Sequence, residues 1–223
     1  MRSNTRGFTL VEIAIVLVIV GLLIGGVLKG QEMITNAKVK RIESDNAGIS
    51  AAMFSYQDRY QELPGDDLDA STRFDSLGGD TNFDGDGNNL IGLNAAVTNA
   101  NGWASGATDP AAAPENLLFW AHLRAAGLVA GGATDIRAPS NAYGGKIGIQ
   151  ANPYDFGGHG ILFSELNGNI VKILEGRLDD GAPNTGRVRG LPATVDVVGV
   201  DPAAFPPFES YADDNVYNIG FRL

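Results

Sequence analysis

The longest uninterrupted apolar run lies near the N-terminus. From Phe8 to Leu28, FTLVEIAIVLVIVGLLIGGVL, the chain carries one charge, Glu12. A helix of that length rises ~30 Å, the thickness of a bilayer's hydrocarbon core. Beyond Leu28 the apolar positions thin out into a stripe. Ile42, Ile49, Met53, Tyr56 and Tyr60 recur at helical spacing among charged and polar residues. No proline occurs before Pro64, and Leu63-Pro64-Gly65 is a stop signal. The pattern predicts one helix from about Phe8 to about Glu62, roughly 80 Å long. A body this small cannot cover such a helix. Its first half must project, into lipid or against sister helices.

After Glu62 the periodicity is lost, and residues 62 to 109 read as a long connecting region rich in Gly, Asn and Asp. It returns over Pro114 to Gly127, with proline in the first turn and glycine at the stop, predicting a short helix. Leu117, Trp120, Ala121 and Leu123 face the core in this reading, and His122 sits at the rim. Lys146 to Gln150 and Gly160 to Phe163 read as strands. Ile170 to Leu178 reads as a helix capped by Asn169, with Ile170, Ile173, Leu174 and Leu178 on one face. Residues 191 to 214 read mostly as loop, and Asn215 to Leu223 as a last strand. The expected class is α+β: a long N-terminal helix packed on a small antiparallel sheet with long loops.

Charge and composition narrow the chemistry. The net charge of the 223 residues is -10, which disfavours nucleic acid as a partner because phosphate binding needs a basic face. The absence of cysteine excludes disulfides, thiolate metal sites and cysteine nucleophiles. Enzyme signals are weak. Ser140 stands where a phosphate-binding loop preceding Gly145-Lys146 needs its first glycine, and no G-x-S-x-G occurs. His159, Ser164 and Glu165 are neighbours in sequence without forming a triad, and His159 between glycines reads as a turn residue. No catalytic residue is assigned.

The chemistry that stands out is Glu12. An ionisable group inside a spanning segment is costly and usually functional, although one turn from the end it can also snorkel to the interface. A cleaved signal peptide explains the region poorly, since the apolar run is long and Lys29-Gly30-Gln31 follows it without a small-x-small site. A plain anchor leaves the glutamate unexplained.

Gly7-Phe8-Thr9-Leu10-Val11-Glu12, preceded by a short leader with Arg2 and Arg6, resembles the prepilin box of type IV pilins and type II secretion pseudopilins. The resemblance implies cleavage after Gly7 by a membrane prepilin peptidase and N-methylation of Phe8. It makes Glu12 the fifth mature residue, with a role in assembly, and it implies a cytoplasmic leader and a body outside. It also implies that glycines such as Gly21, Gly25 and Gly26 permit local melting of the helix. Those glycines and Gly30 also form two G-x-x-x-G pairs, a spacing that lets helices approach closely. In the body, Leu63-Pro64-Gly65-Asp66, Phe119 to Leu123, Ala126-Gly127-Leu128 and Leu178 to Gly186 look like a bacterial branch of prepilin-like proteins.

Residues 62 to 109 hold nine acids and one base, Arg73. Within them, Asp80-Thr81-Asn82-Phe83-Asp84-Gly85-Asp86 matches the first half of a calcium loop, with Asp80, Asn82, Asp84 and Asp86 as candidate ligands. The twelfth position is Ile91, so an EF-hand is excluded, and a remaining ligand must come from Asp86, a carbonyl or a distant acid. The alternative is a solvated turn.

The expected organisation is thus a leader over 1 to 7, a helix over 8 to 62 with 8 to 28 as membrane span and filament core, and a body over 63 to 223. The expected function is structural: a subunit of a type IV pilus-like surface filament that polymerises with itself. Such a subunit is held in the inner membrane before an assembly platform and ATPase extract it. A type II secretion pseudopilin, periplasmic, or a minor pilin is the nearest alternative. A monomeric membrane-anchored binding protein is the alternative of another class.

Overall fold

The computed structural model describes residues 9–92, 109–193 and 210–223. Helix α1 runs Leu10–Tyr60 without interruption, 51 residues and ~75 Å. The three glycines expected to permit melting lie inside regular helix, and a Cβ at any of them would meet nothing within 4 Å. The helix ends at Gln61, a left-handed residue whose N–H returns to the Gln57 carbonyl. The predicted stripe is the buried face of the second half: Ile42, Ile49, Met53 and Tyr56, joined by Val39 and Ala52.

Four antiparallel strands follow: β1 Ile147–Ala151, β2 His159–Asn167, β3 Val188–Pro192 and β4 Val216–Arg222, in spatial order β1-β2-β4-β3. Ile149, Ile161, Phe163, Ile219 and Phe221 join the stripe of α1 in one core. The opposite face is glycine-bearing. A side chain at Gly160 or Gly220 would strike Phe156 or Tyr154, so those glycines let the 153–156 turn lie flat on the strands.

Helices α2 (Ala70–Arg73), α3 (Glu115–Ala125) and α4 (Gly168–Leu178) complete the described body. Leu117, Trp120, Ala121 and Leu123 of α3 are buried as expected, but every residue from Glu115 to Leu123 is buried. His122 is therefore in the core and not at its rim. In α4, Ile170 and Leu174 are buried and Ile173 packs partly against the core, while Leu178 is exposed. The N-cap of α4 is Asn167, two residues before the expected cap, and it makes no side-chain capping bond.

Two further readings need correction. Residues 191 and 192 belong to β3, not to loop, and His159 is the first residue of β2, not a turn. The acidic connection, whose sequence shows no apolar periodicity, nevertheless contributes to the core. Leu63, Ala70, Phe74, Leu77, Phe83 and Ile91 are all buried, which fastens residues 62–92 to α1 and α3.

Candidate functional site

The apolar half of α1 is bare. Leu10, Ile13, Leu17, Ile24, Leu28 and Ile34 are among its exposed side chains, and Leu10 is 90% exposed. None of its most apolar window is buried against the body, and this is a helix long and apolar enough to cross a membrane. An apolar surface of this extent marks a membrane or protein contact.

At its start, Thr9 and Glu12 form a capping box. The Thr9 N–H and hydroxyl each donate to Glu12 Oε2 at 2.8 Å, and the Glu12 N–H donates to Thr9 Oγ1 at 3.3 Å. The box satisfies helix-end donors that water would otherwise have to serve. Glu12 thus has a partner within its own span, which sequence alone did not reveal. Gly7 and Phe8 lie outside the described residues.

The second candidate is the acidic loop. Its carboxylates serve as acceptors for backbone N–H groups where no regular ladder exists. Asp66 accepts the Asn88 N–H at 3.0 Å and the Asn89 N–H at 2.6 Å. Asp84 accepts the N–H and hydroxyl of Ser71, at 2.7 and 2.9 Å. Glu115 reaches across from α3 to accept the Asp86 N–H at 3.2 Å and the Gly92 N–H at 3.0 Å. Gly85 passes against the Asp66 backbone so closely that any Cβ there would collide with main chain.

The four expected calcium ligands are not brought together by these bonds. Asp80 closes a turn on the N–H and side chain of Asn82, and Asp84 is bound to Ser71. Asp86 instead converges with Asp66 and Glu115, one carboxylate oxygen of each lying within 4.8 Å of the others. Asp66 and Glu115 come from distant parts of the sequence and carry no metal-ligand spacing.

Burial, reinforced by the charges of Asp86 and Asp66 against the pull of two N–H bonds, pushes the Glu115 carboxyl up to about 7. A carboxyl raised on folding contributes stability that is complete below its unfolded pKa and is lost as pH rises through the folded value. In cation-free buffer the melting temperature is therefore expected to fall between about pH 5 and pH 8, and Glu115→Gln should flatten that slope. An unchanged slope in the variant, measured by thermal melts across this range, would show that Glu115 does not titrate there.

His122 locks the loop from within. Its Nδ1 accepts the Gly65 N–H at 2.8 Å, and its Nε2 donates to the Phe83 carbonyl at 2.6 Å. Burial holds its pKa below the usual value, so the ring is neutral with the proton on Nε2. His122→Ala should cost about 2–4 kcal/mol, because it strands a buried N–H and a buried carbonyl beside a cavity. His122→Gln should restore part of the loss, and urea melts check both.

No curated protein and no solved structure matches the chain. A family model does match, over residues 2–28: the prokaryotic N-terminal methylation motif. The motif ends where the bare apolar run ends, and the helix carrying it continues into a body with a four-stranded antiparallel sheet. The chain thus carries the prepilin-type signature of type IV pilins and pseudopilins, on a long helix and an α+β body consistent with a pilin-like fold.

Proposed function

We propose that the chain is a structural subunit of a type IV pilus-like helical filament, with its apolar helix in the filament core and its acidic body outside. The observation that carries this reading is the bare apolar half of α1, most of which lies within the methylation motif. Burying such a surface against sister helices removes from water what the monomer must otherwise keep in lipid. A prepilin peptidase, an assembly platform and its ATPase are the partners, and the product is a cell-surface polymer. The same fold serves a periplasmic pseudopilus or a minor pilin. Cryo-microscopy of sheared surface material tests the proposal. Filaments whose density fits this body support it. Protein recovered only as detergent-soluble monomer favours a membrane-anchored protein that acts alone.

Processing follows from the same reading. The mature chain should begin at methylated Phe8, read as the mass of the N-terminal peptide. A bulky residue at Gly7 should block cleavage, since the peptidase must approach the backbone closely there. Residues 1 to 7 still attached in assembled filaments would overturn this.

Calcium in the acidic loop is a further part of the proposal. The set supported by the structure is Asp66, Asp86 and Glu115, sharing only Asp86 with the set expected from sequence. The three carboxylates repel one another at this range, and a dication offsets that repulsion at Kd ~10⁻⁴–10⁻³ M, a range typical of extracellular modules. Calorimetric titration should lose one equivalent of calcium in Glu115→Gln. Equal binding by the variant would return the loop to a proton-sharing cluster.

A further inference from the structure

A second group of acids lies at the C-terminal end of α4. Glu175 occupies the last turn of that helix, Asp179 is its C-cap, and Asp180 follows. One carboxylate oxygen from each lies within 4.8 Å of the other two. The position opposes ordinary helix electrostatics, because the C-terminus carries the negative end of the dipole and favours cations.

Most of the oxygens here are engaged. The Tyr211 hydroxyl donates to Glu175 Oε1 at 2.8 Å. Asp179 Oδ2 accepts the N–H groups of Arg187 and Val188, the latter at 2.7 Å. Asp180 accepts the Ala182 N–H at 2.9 Å and the Thr185 hydroxyl at 2.6 Å. Glu175 Oε2 differs: it is buried, in a residue with 0% exposure, and has no hydrogen-bond partner among the described residues. A buried carboxylate oxygen left unpaired costs free energy unless a proton or a cation meets it.

The surroundings are shaped for these groups. Gly186, at φ +73°, leaves room that a Cβ would take from the Asp179 carboxylate, and Gly190 does the same for the Tyr211 hydroxyl. Behind the Thr185 and Ala182 bonds, the Arg189 guanidinium also acts on Asp180 and helps to hold its carboxyl below the usual value. The Tyr154 and Tyr217 phenols face Tyr211, Arg177 of the same helical turn is paired with Glu43 of α1, and Arg187 gives its backbone N–H to Asp179.

We propose that Glu175, Asp179 and Asp180 hold a divalent cation, with Glu175 Oε2 as the buried ligand and Asp180 as the exposed one. An all-oxygen donor set at a half-open position suits calcium, which accepts irregular geometry and completes its shell with water. Magnesium demands a stricter octahedron and is the weaker candidate. The cation neutralises the acids at the helix end and ties α4 to β3 through Asp179, which already holds the first N–H groups of that strand. The competing occupant is a proton, since burial and the neighbouring acids push the Glu175 carboxyl up to about 7.

The site is distinct from the acidic loop, and the two are separable by substitution. Full-length protein in detergent is titrated with calcium, and with terbium excited through tyrosine, Tyr211 being the phenol that touches the Glu175 ligand. The expected result is two calcium equivalents in the parent. Asp180→Asn and Glu175→Gln should each weaken one of them by about tenfold or more, with loss of part of the terbium emission, while Glu115→Gln affects only the other. Glutamine at 175 keeps an acceptor for Tyr211, and Asp180 lies outside the core, so both variants should fold. Unchanged stoichiometry and emission in both variants would overturn the proposal. So would a parent whose calcium is lost entirely in Glu115→Gln, leaving a protonated Glu175 as the occupant.

Discussion

Glu12→Gln is expected to be cleaved and methylated normally but to give on the order of a hundredfold to a few thousandfold fewer filaments. The capping box separates two roles that a truncation would confuse. A glutamine at this position accepts from Thr9 as the glutamate does, since the box tolerates either residue. What it lacks is the charge. In a filament core that charge is poorly solvated, and the new amine at Phe8 of a sister subunit is the group that can neutralise it. Removing one partner of a buried ion pair costs ~3–5 kcal/mol, which is the source of the expected fold-change. Glu12→Ala should lose the cap as well and assemble no better. If instead Glu12→Gln assembles normally while Glu12→Ala does not, the glutamate acts only as a helix cap. Immunoblots of sheared and whole-cell fractions read the yield, and the N-terminal peptide mass confirms processing.

The parts of this fold legible in the sequence are those where one periodicity operates over a long stretch. The stripe Ile42, Ile49, Met53 and Tyr56 is buried as its spacing predicted, because one face of α1 meets the body and the other meets solvent. Helix α3 offers no such contrast. It is buried all round, so a histidine beside Ala121 and Leu123 gives no sign of being interior. Strand β3 was hidden by Gly190 and Pro192, which are unusual in strands. It is an edge strand, where a proline need not break the ladder. The second half of β2 was hidden by a bulge, where Glu165 adopts φ 60° and the pairing shifts between Phe163 and Leu166.

The acidic loop shows a different limit. Its composition was legible, but the spacing of Asp80, Asn82, Asp84 and Asp86 suggested a single convergence point. The chain instead uses Asp80 and Asp84 to bind local donors. Its close carboxylate cluster takes Glu115 from α3, a partner too distant in sequence for any spacing rule to propose. The Glu12 cap was legible in principle, since Thr9-x-x-Glu12 has the capping-box spacing. It was masked by the stronger resemblance that the same residues carry.

Asp67→Ala is expected to destabilise the body by about 3–5 kcal/mol, the largest loss of any single acid in the loop. Asp67 is fully buried and ties the loop to α1 and α2. Its Oδ2 accepts the Tyr56 hydroxyl of α1 at 2.7 Å, and its Oδ1 accepts the Asp69 N–H at 3.0 Å. Arg73 of α2 grips both oxygens, at 2.8 and 3.0 Å. Burial pushes the Asp67 carboxyl up, but the Arg73 and Tyr56 bonds outweigh it and hold the pKa below the usual range. A depressed carboxyl contributes stability that is present above its unfolded pKa, near 4, and is lost as pH falls through the folded value. The loop should therefore loosen in acid by a route opposite in sign to that of Glu115. Asp67→Asn keeps an acceptor for Tyr56 and should cost less than the alanine variant, because Arg73 is partly solvated and tolerates the loss of its counter-charge. Melting temperature and protease susceptibility of residues 62–92 measure both variants. At about 2–4 °C per kcal/mol for a chain of this size, Asp67→Ala should lower the midpoint by roughly 6–20 °C. A drop under about 2 °C would mean that the buried apolar residues of the loop hold it without the Asp67 contacts.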